Sequence, residues 1–285
     1  MSLRLQQRTR VTVSTRSLRI LSGSGPTKSL GICRAKIGQI PGRCAGFTVI
    51  ELAVVLVVIA LLLGSILVPL QTQVEQRQIG DTQKTLEEIR EALVGFAVAN
   101  SYLPCPDTSG DGASDPATPG VCPNVEGFVP WATLGVSRGD AWGNRFRYRV
   151  APEFTNTPLS GTCATGDGRL GLCDSGNINV ATRTLTKTIQ TLSSNVVAVI
   201  VSHGKNGYGA TSVDGTARAP VPAPNTDEAI NVDSNNTFGY RTATSVSLPC
   251  SDTVVGQPYC EFDDIVVWLS SYTLFNRMVA AGKLP

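Results

Sequence analysis

Residues 47–70 read FTVIELAVVLVVIALLLGSILVPL and carry a single charge, Glu51. An α-helix rises about 1.5 Å per residue, so about 20 apolar residues cross a bilayer, and this stretch predicts a transmembrane helix. Upstream, residues 1–46 hold nine basic side chains (Arg4, Arg8, Arg10, Arg16, Arg19, Lys28, Arg34, Lys36 and Arg43) and no acid. From residue 47 onward the chain has 15 basic against 22 acidic residues. A basic flank stays on the cytoplasmic side, which places the bulk of the chain across an inner membrane, in the periplasm. A nucleic-acid-binding arm would interleave aromatics with its cations. Residues 1–46 contain none, so nucleic acid is not an expected partner.

The helical pattern continues past the apolar run. Ile79, Leu86, Ile89, Leu93 and Phe96 recur at helical spacing, Thr82 and Asn100 extend the same face, and Gln, Glu, Lys and Arg fill the others. Residues 71–102 therefore predict an amphipathic helix with one stripe for packing, weakened at Pro69 and Gly80 and ended by Leu103-Pro104. The stretch 104–128 is rich in Pro, Gly, Asp and Ser and predicts a loop. Phe146–Val150, Val196–Val201 and Ile265–Leu269 are strand candidates, 205–262 is turn-forming and polar, and 271–282 suits a final helix. The expected fold is α+β, with a long N-terminal helix, half transmembrane and half amphipathic, on a small antiparallel sheet with long loops. Residues 103–285 form its exported globular domain.

Cysteine usage points the same way. Cys33 and Cys44 precede the apolar run, and six others follow it. An even number in an exported region predicts disulfides, for which six cysteines allow 15 pairings. Proximity favours Cys105–Cys122, Cys163–Cys173 and Cys250–Cys260.

The segment Gly46-Phe47-Thr48-Val49-Ile50-Glu51-Leu52 resembles the cleavage site of type IV prepilins and type II secretion pseudopilins, a class III signal peptide. The resemblance implies that a prepilin peptidase removes 1–46 by cutting after Gly46 and methylates Phe47. At 46 residues this leader is longer than the family's usual one. It further implies that Glu51 meets the new α-amine of a neighbouring subunit in a growing filament. Other pilin or pseudopilin subunits and an inner-membrane assembly platform would be the partners. A lone carboxylate in a bilayer span costs several kcal/mol unless it is paired, so Glu51 is a functional candidate on physical grounds as well. A plain anchor in which Glu51 snorkels to the interface is the other reading.

Three downstream stretches also resemble pseudopilin features, in the same order. They are Asp140-Ala141-Trp142-Gly143-Asn144 with Tyr148, Ser202-His203-Gly204-Lys205-Asn206-Gly207, and Asp263-Asp264-Ile265 with Trp268. In major pseudopilins the loop between the last two binds calcium. Asn206, Asp263 and Asp264 are therefore candidate calcium ligands, although Asn206 stands where the family has an acid. Asp107 and Asp111, in DTSGDG, imitate the start of a second calcium loop. There Thr118 replaces the bidentate glutamate, and a polar turn bounded by Cys105 and Cys122 is the plainer reading.

Catalysis has little support in the sequence. His203 is the only histidine, which excludes zinc sites built on two, and no P-loop pattern occurs. No resident cofactor is expected apart from calcium. The expectation is a non-enzymatic filament subunit. A membrane-anchored periplasmic enzyme or ligand-binding protein with an uncleaved anchor is the competing class.

Overall fold

The structure, a computed structural model, describes residues 47–116, 122–155, 172, 174–245 and 249–284, excepting the side chains at 63–70. The leader, including Gly46, lies outside them. The chain divides into two units, residues 1–56 and 57–285.

Helix α1 spans Val49–Asn100, through both Pro69 and Gly80. Of the expected membrane span, the side chains of residues 47–62 are described, and all are exposed. Among the described residues no helix is long and apolar enough to cross a membrane. The part of the span at 63–70 is not described at side-chain level.

In the second unit the packing stripe of α1 is Thr82, Leu86, Ile89, Leu93, Val94 and Ala97, all buried. Asn100, expected on this face, is exposed instead, and its amide donates to Phe96 O. It occupies the last helical position. Next to it Ser101 turns left-handed (φ 67°), ending α1 two residues before the expected 102.

After α1 come β1 (Glu126–Phe128), α2 (Trp131–Leu134), β2 (Arg147–Val150), a 3-10 turn at Pro152–Phe154, β3 (Ile178–Arg183) and β4 (Ile189–Ser202). They are followed by α3 (Thr226–Ala229), β5 (Thr237–Gly239), β6 (Ile265–Ser270) and α4 (Ser271–Ala280). The sheet runs β1-β2-β4-β3-β5, with β6 also paired to β4. Its pairings are antiparallel except β3–β5, which is parallel, so the expected all-antiparallel sheet is mostly but not wholly so. β4 is the hub: Val196–Val201 is buried throughout, as its β-branched run predicts, and shares one core with Phe146, Tyr148, Val150, Leu269 and the α1 stripe. The sequence pattern does not show β3, the exposed first half of β4, α2, the 3-10 turn, or the short β1 within the expected 104–128 loop. The polar stretch 205–262 also contains α3 and β5.

Candidate functional site

Phe47 is 81% exposed. Thr48 and Glu51 begin α1 with a reciprocal pair of bonds. Glu51 N–H donates to Thr48 Oγ1 (3.2 Å), and Thr48 N–H donates to Glu51 Oε2 (3.4 Å). This is a capping box: each side chain satisfies a backbone donor that the first helical turn leaves free. The carboxylate also lies at the positive end of the helix dipole. Sequence reasoning gave Glu51 an assembly role, or a snorkelling one in a plain anchor, and passed over Thr-x-x-Glu, the cue for this capping role.

The three downstream stretches come together. Asp140 ties the first to the second: Oδ1 accepts from Trp142 N–H (3.0 Å) and Asn144 N–H (2.8 Å), and Oδ2 accepts from Ser202 Oγ (2.7 Å). Asn144 Nδ2 donates to Gly204 O (3.2 Å). Gly204, at φ +54°, lies so close to the third stretch that a Cβ would sit 2.4 Å from Asp263 O and 2.6 Å from its carboxyl. Only glycine fits there.

This approach completes an acidic cluster. Glu228, Asp263 and Asp264 each offer a carboxylate oxygen, all within 4.8 Å of one another. Glu228 is 1% exposed and Asp264 7%. Burial, and then the charge of Asp264, pushes Glu228 up to about 8. Burial, with Asp264 and Glu261 adding, pushes Asp263 up to about 7. Asp263 Oδ1 is buried without a hydrogen-bond partner. Asn225 caps α3 and donates to Glu228 Oε2 (2.6 Å), while Asn231 donates to Asp264 Oδ2 (2.8 Å). His203 is buried, with Nδ1 3.4 Å from Asp264 Oδ1.

Asn206 lies against this cluster. Its Nδ2 donates to Glu228 Oε1 (3.0 Å) and its Oδ1 accepts from Tyr208 N–H (3.0 Å), so it helps to orient the cluster. Glu228 supplies the missing acid. It precedes Asp263 by 35 residues, and nothing in the linear pattern joins them. An all-oxygen set of crowded carboxylates, two of them buried, with an unsatisfied oxygen fits a hard divalent cation such as calcium, which would offset the burial and repulsion now opposing ionisation.

Beside Glu228 on α3, Asp227 belongs to a second buried network. Arg183 Nε (2.6 Å) and Arg241 Nη1 (2.8 Å) donate to it, and Arg241 Nη1 also donates to Asp252 (3.0 Å). Asp252 lies in the loop closed by the Cys250–Cys260 disulfide and also accepts from Cys260 N–H (3.0 Å).

Asp107 and Asp111 gather with Asp115 inside the loop closed by the Cys105–Cys122 disulfide. Asp107 accepts from Gly110 N–H (2.5 Å) and Gly112 N–H (2.8 Å), Asp111 from Ala113 N–H (2.8 Å), and Asp115 from Thr108 N–H (2.7 Å) and Ser109 N–H (2.8 Å). The backbone already occupies these carboxylates, as a self-satisfied turn requires. Thr118 and the expected Cys163–Cys173 pair lie outside the described residues.

A family model described as the prokaryotic N-terminal methylation motif matches residues 41–67, the stretch holding Gly46, Phe47 and Glu51. No curated protein and no solved structure matches the chain significantly. Residues 41–67 are thus a prokaryotic N-terminal methylation motif, the class III signal peptide of type IV pilins, and the chain is pilin-like in this segment.

Proposed function

We propose that the chain is a non-enzymatic structural subunit, a pseudopilin or minor pilin, of a type II secretion or type IV pilus filament. Prepilin peptidase cuts after Gly46 and methylates Phe47. The subunit waits in the inner membrane as a single-pass protein with its C-terminal domain in the periplasm. It enters the filament through α1 with the help of the assembly platform. One observation carries this reading: the methylation motif overlaps the start of a helix whose residues Val49–Leu62, apolar except for Glu51, are all exposed. Such a surface needs lipid or the helices of other subunits to cover it. Glu51 would then pair with the α-amine of a neighbouring Phe47, removing two charges from apolar surroundings. Calcium at Glu228, Asp263 and Asp264 would steady the loops around Gly204.

Mass spectrometry of the mature N-terminus tests the reading. N-methylated Phe47 is expected, and replacing Gly46 by a bulky residue should leave precursor in the membrane. An intact leader in the native protein would instead favour an uncleaved anchor.

A further inference from the structure

Arg145 is a buried cation without a counter-ion. It is 8% exposed, and its guanidinium lies 5.1 Å from the centre of the Phe128 ring. One terminal nitrogen donates to Val213 O at 3.4 Å, and Nε is buried without a partner. Among the described residues no carboxylate reaches it within ion-pair distance. Gly110, at positive φ, leaves it room, and Gly215 borders it. A Cβ on Gly110 would lie 2.5 Å from one terminal nitrogen, and a Cβ on Gly215 would lie 3.9 Å from the other. The loops carrying Gly110 and Gly215 thus flank the guanidinium.

Arg145 lines a cavity of about 260 Å³ together with Arg147, Glu126, His203 and Ser234. Glu126 is already shared between Arg147 and Arg149. The cavity wall therefore carries two guanidinium groups and one carboxylate, a local positive excess in a region that is acidic as a whole. Leaving a buried ion unpaired costs several kcal/mol, and a guanidinium fork matches a carboxylate with two parallel bonds. Of the two arginines on the wall, Arg147 has Glu126 and Arg145 has no carboxylate among the described residues, so one carboxylate completes the pairing.

We propose that this cavity is a carboxylate-binding site, with Arg145 receiving an acidic side chain or the free chain end of a partner protein. The test uses the full chain in detergent and follows its thermal unfolding midpoint at constant ionic strength. N-acetylglutamate α-amide mimics the side chain, N-acetylglycine the chain end, and acetamide, chloride and phosphate are controls. At least one carboxylate should raise the midpoint saturably, and whichever mimic binds more tightly names the source. Acetamide and chloride should not raise it. Arg145→Gln should abolish the effect, while the exposed Arg138→Gln retains it. Arg145→Lys, which keeps the charge but loses the fork, should weaken binding at least tenfold and serves if the Gln variant does not fold. No saturable effect in the native chain, an equal effect in Arg145→Gln, unchanged affinity in Arg145→Lys, or phosphate binding as tightly as carboxylate would each overturn the proposal.

Discussion

Glu51 has two jobs on the filament reading, and a pair of substitutions separates them. In the free chain it completes the capping box with Thr48. Glu51→Gln keeps a residue that suits this position and loses only the charge at the helix N-terminus, worth about 0.3–1 kcal/mol. Thr48→Ala removes the N-cap side chain, worth about 1 kcal/mol, and leaves the carboxylate in place. Helix formation should therefore suffer as much from Thr48→Ala as from Glu51→Gln, or more. Assembly should respond in the opposite order. Breaking one side of a buried charge pair costs about 3–5 kcal/mol, which is roughly two to four decades in an equilibrium constant. The assay quantifies mature subunit in membranes and then its incorporation into sheared or cross-linked filaments. Glu51→Gln should mature normally and drop out of the filament, while Thr48→Ala should assemble at near-native levels. Normal incorporation of Glu51→Gln would refute the pairing. Equal loss in both variants would show that assembly depends on the helix start and not on the charge.

The two described disulfides close loops with sequence separations of 17 and 10, each worth about 3 kcal/mol by chain entropy. Replacing either pair by serine should lower the melting midpoint by roughly 6–12 °C. Non-reducing peptide mapping should also find Cys163–Cys173, and free thiols there would contradict the local pairing. Glu228 and Asp263, at about 8 and about 7 when folded, lie above their ordinary 4.5 and 3.8. The folded state therefore holds more protons between these limits, and stability present below about pH 4 is lost as pH rises through 7 and 8. In EDTA the melting midpoint should fall from pH 5 to pH 8.5, and calcium should flatten the fall by taking the protons' place. A midpoint that holds or rises in EDTA would refute this.

What was legible in the sequence was what repeats or what lies close together. The α1 stripe shows itself by its 3.6-residue period. The second half of β4 shows itself because burial on both faces selects an unbroken β-branched run. The two described cysteine pairs are near neighbours in the chain. The first half of β4, Ile189–Asn195, is solvent-exposed and rich in Ser and Thr, so no apolar alternation marks it, and its partner β3 was lost with it. In the acidic cluster, Asp263 and Asp264 stand out by the resemblance of Asp263-Asp264-Ile265 with Trp268 to a pseudopilin ending. Glu228 arrives only by tertiary folding, on a four-residue helix that sequence periodicity cannot show. Arg145 is hidden for a related reason: its sequence neighbours say nothing of the loops that strip it of water.

That four-residue helix has a wider consequence. Asp227 faces the arginine network and Glu228 faces the acidic cluster, so two buried charge systems meet across one peptide unit. A change of charge in either alters the field felt by the other, and a shift of α3 disturbs both. The two systems should behave as one cooperative body in titration and in unfolding. Effects of substitutions at Asp252, in the disulfide loop, and at Asp263, before β6, should therefore fail to add. The coupling energy from a double-mutant cycle would measure how firmly the short helix welds them.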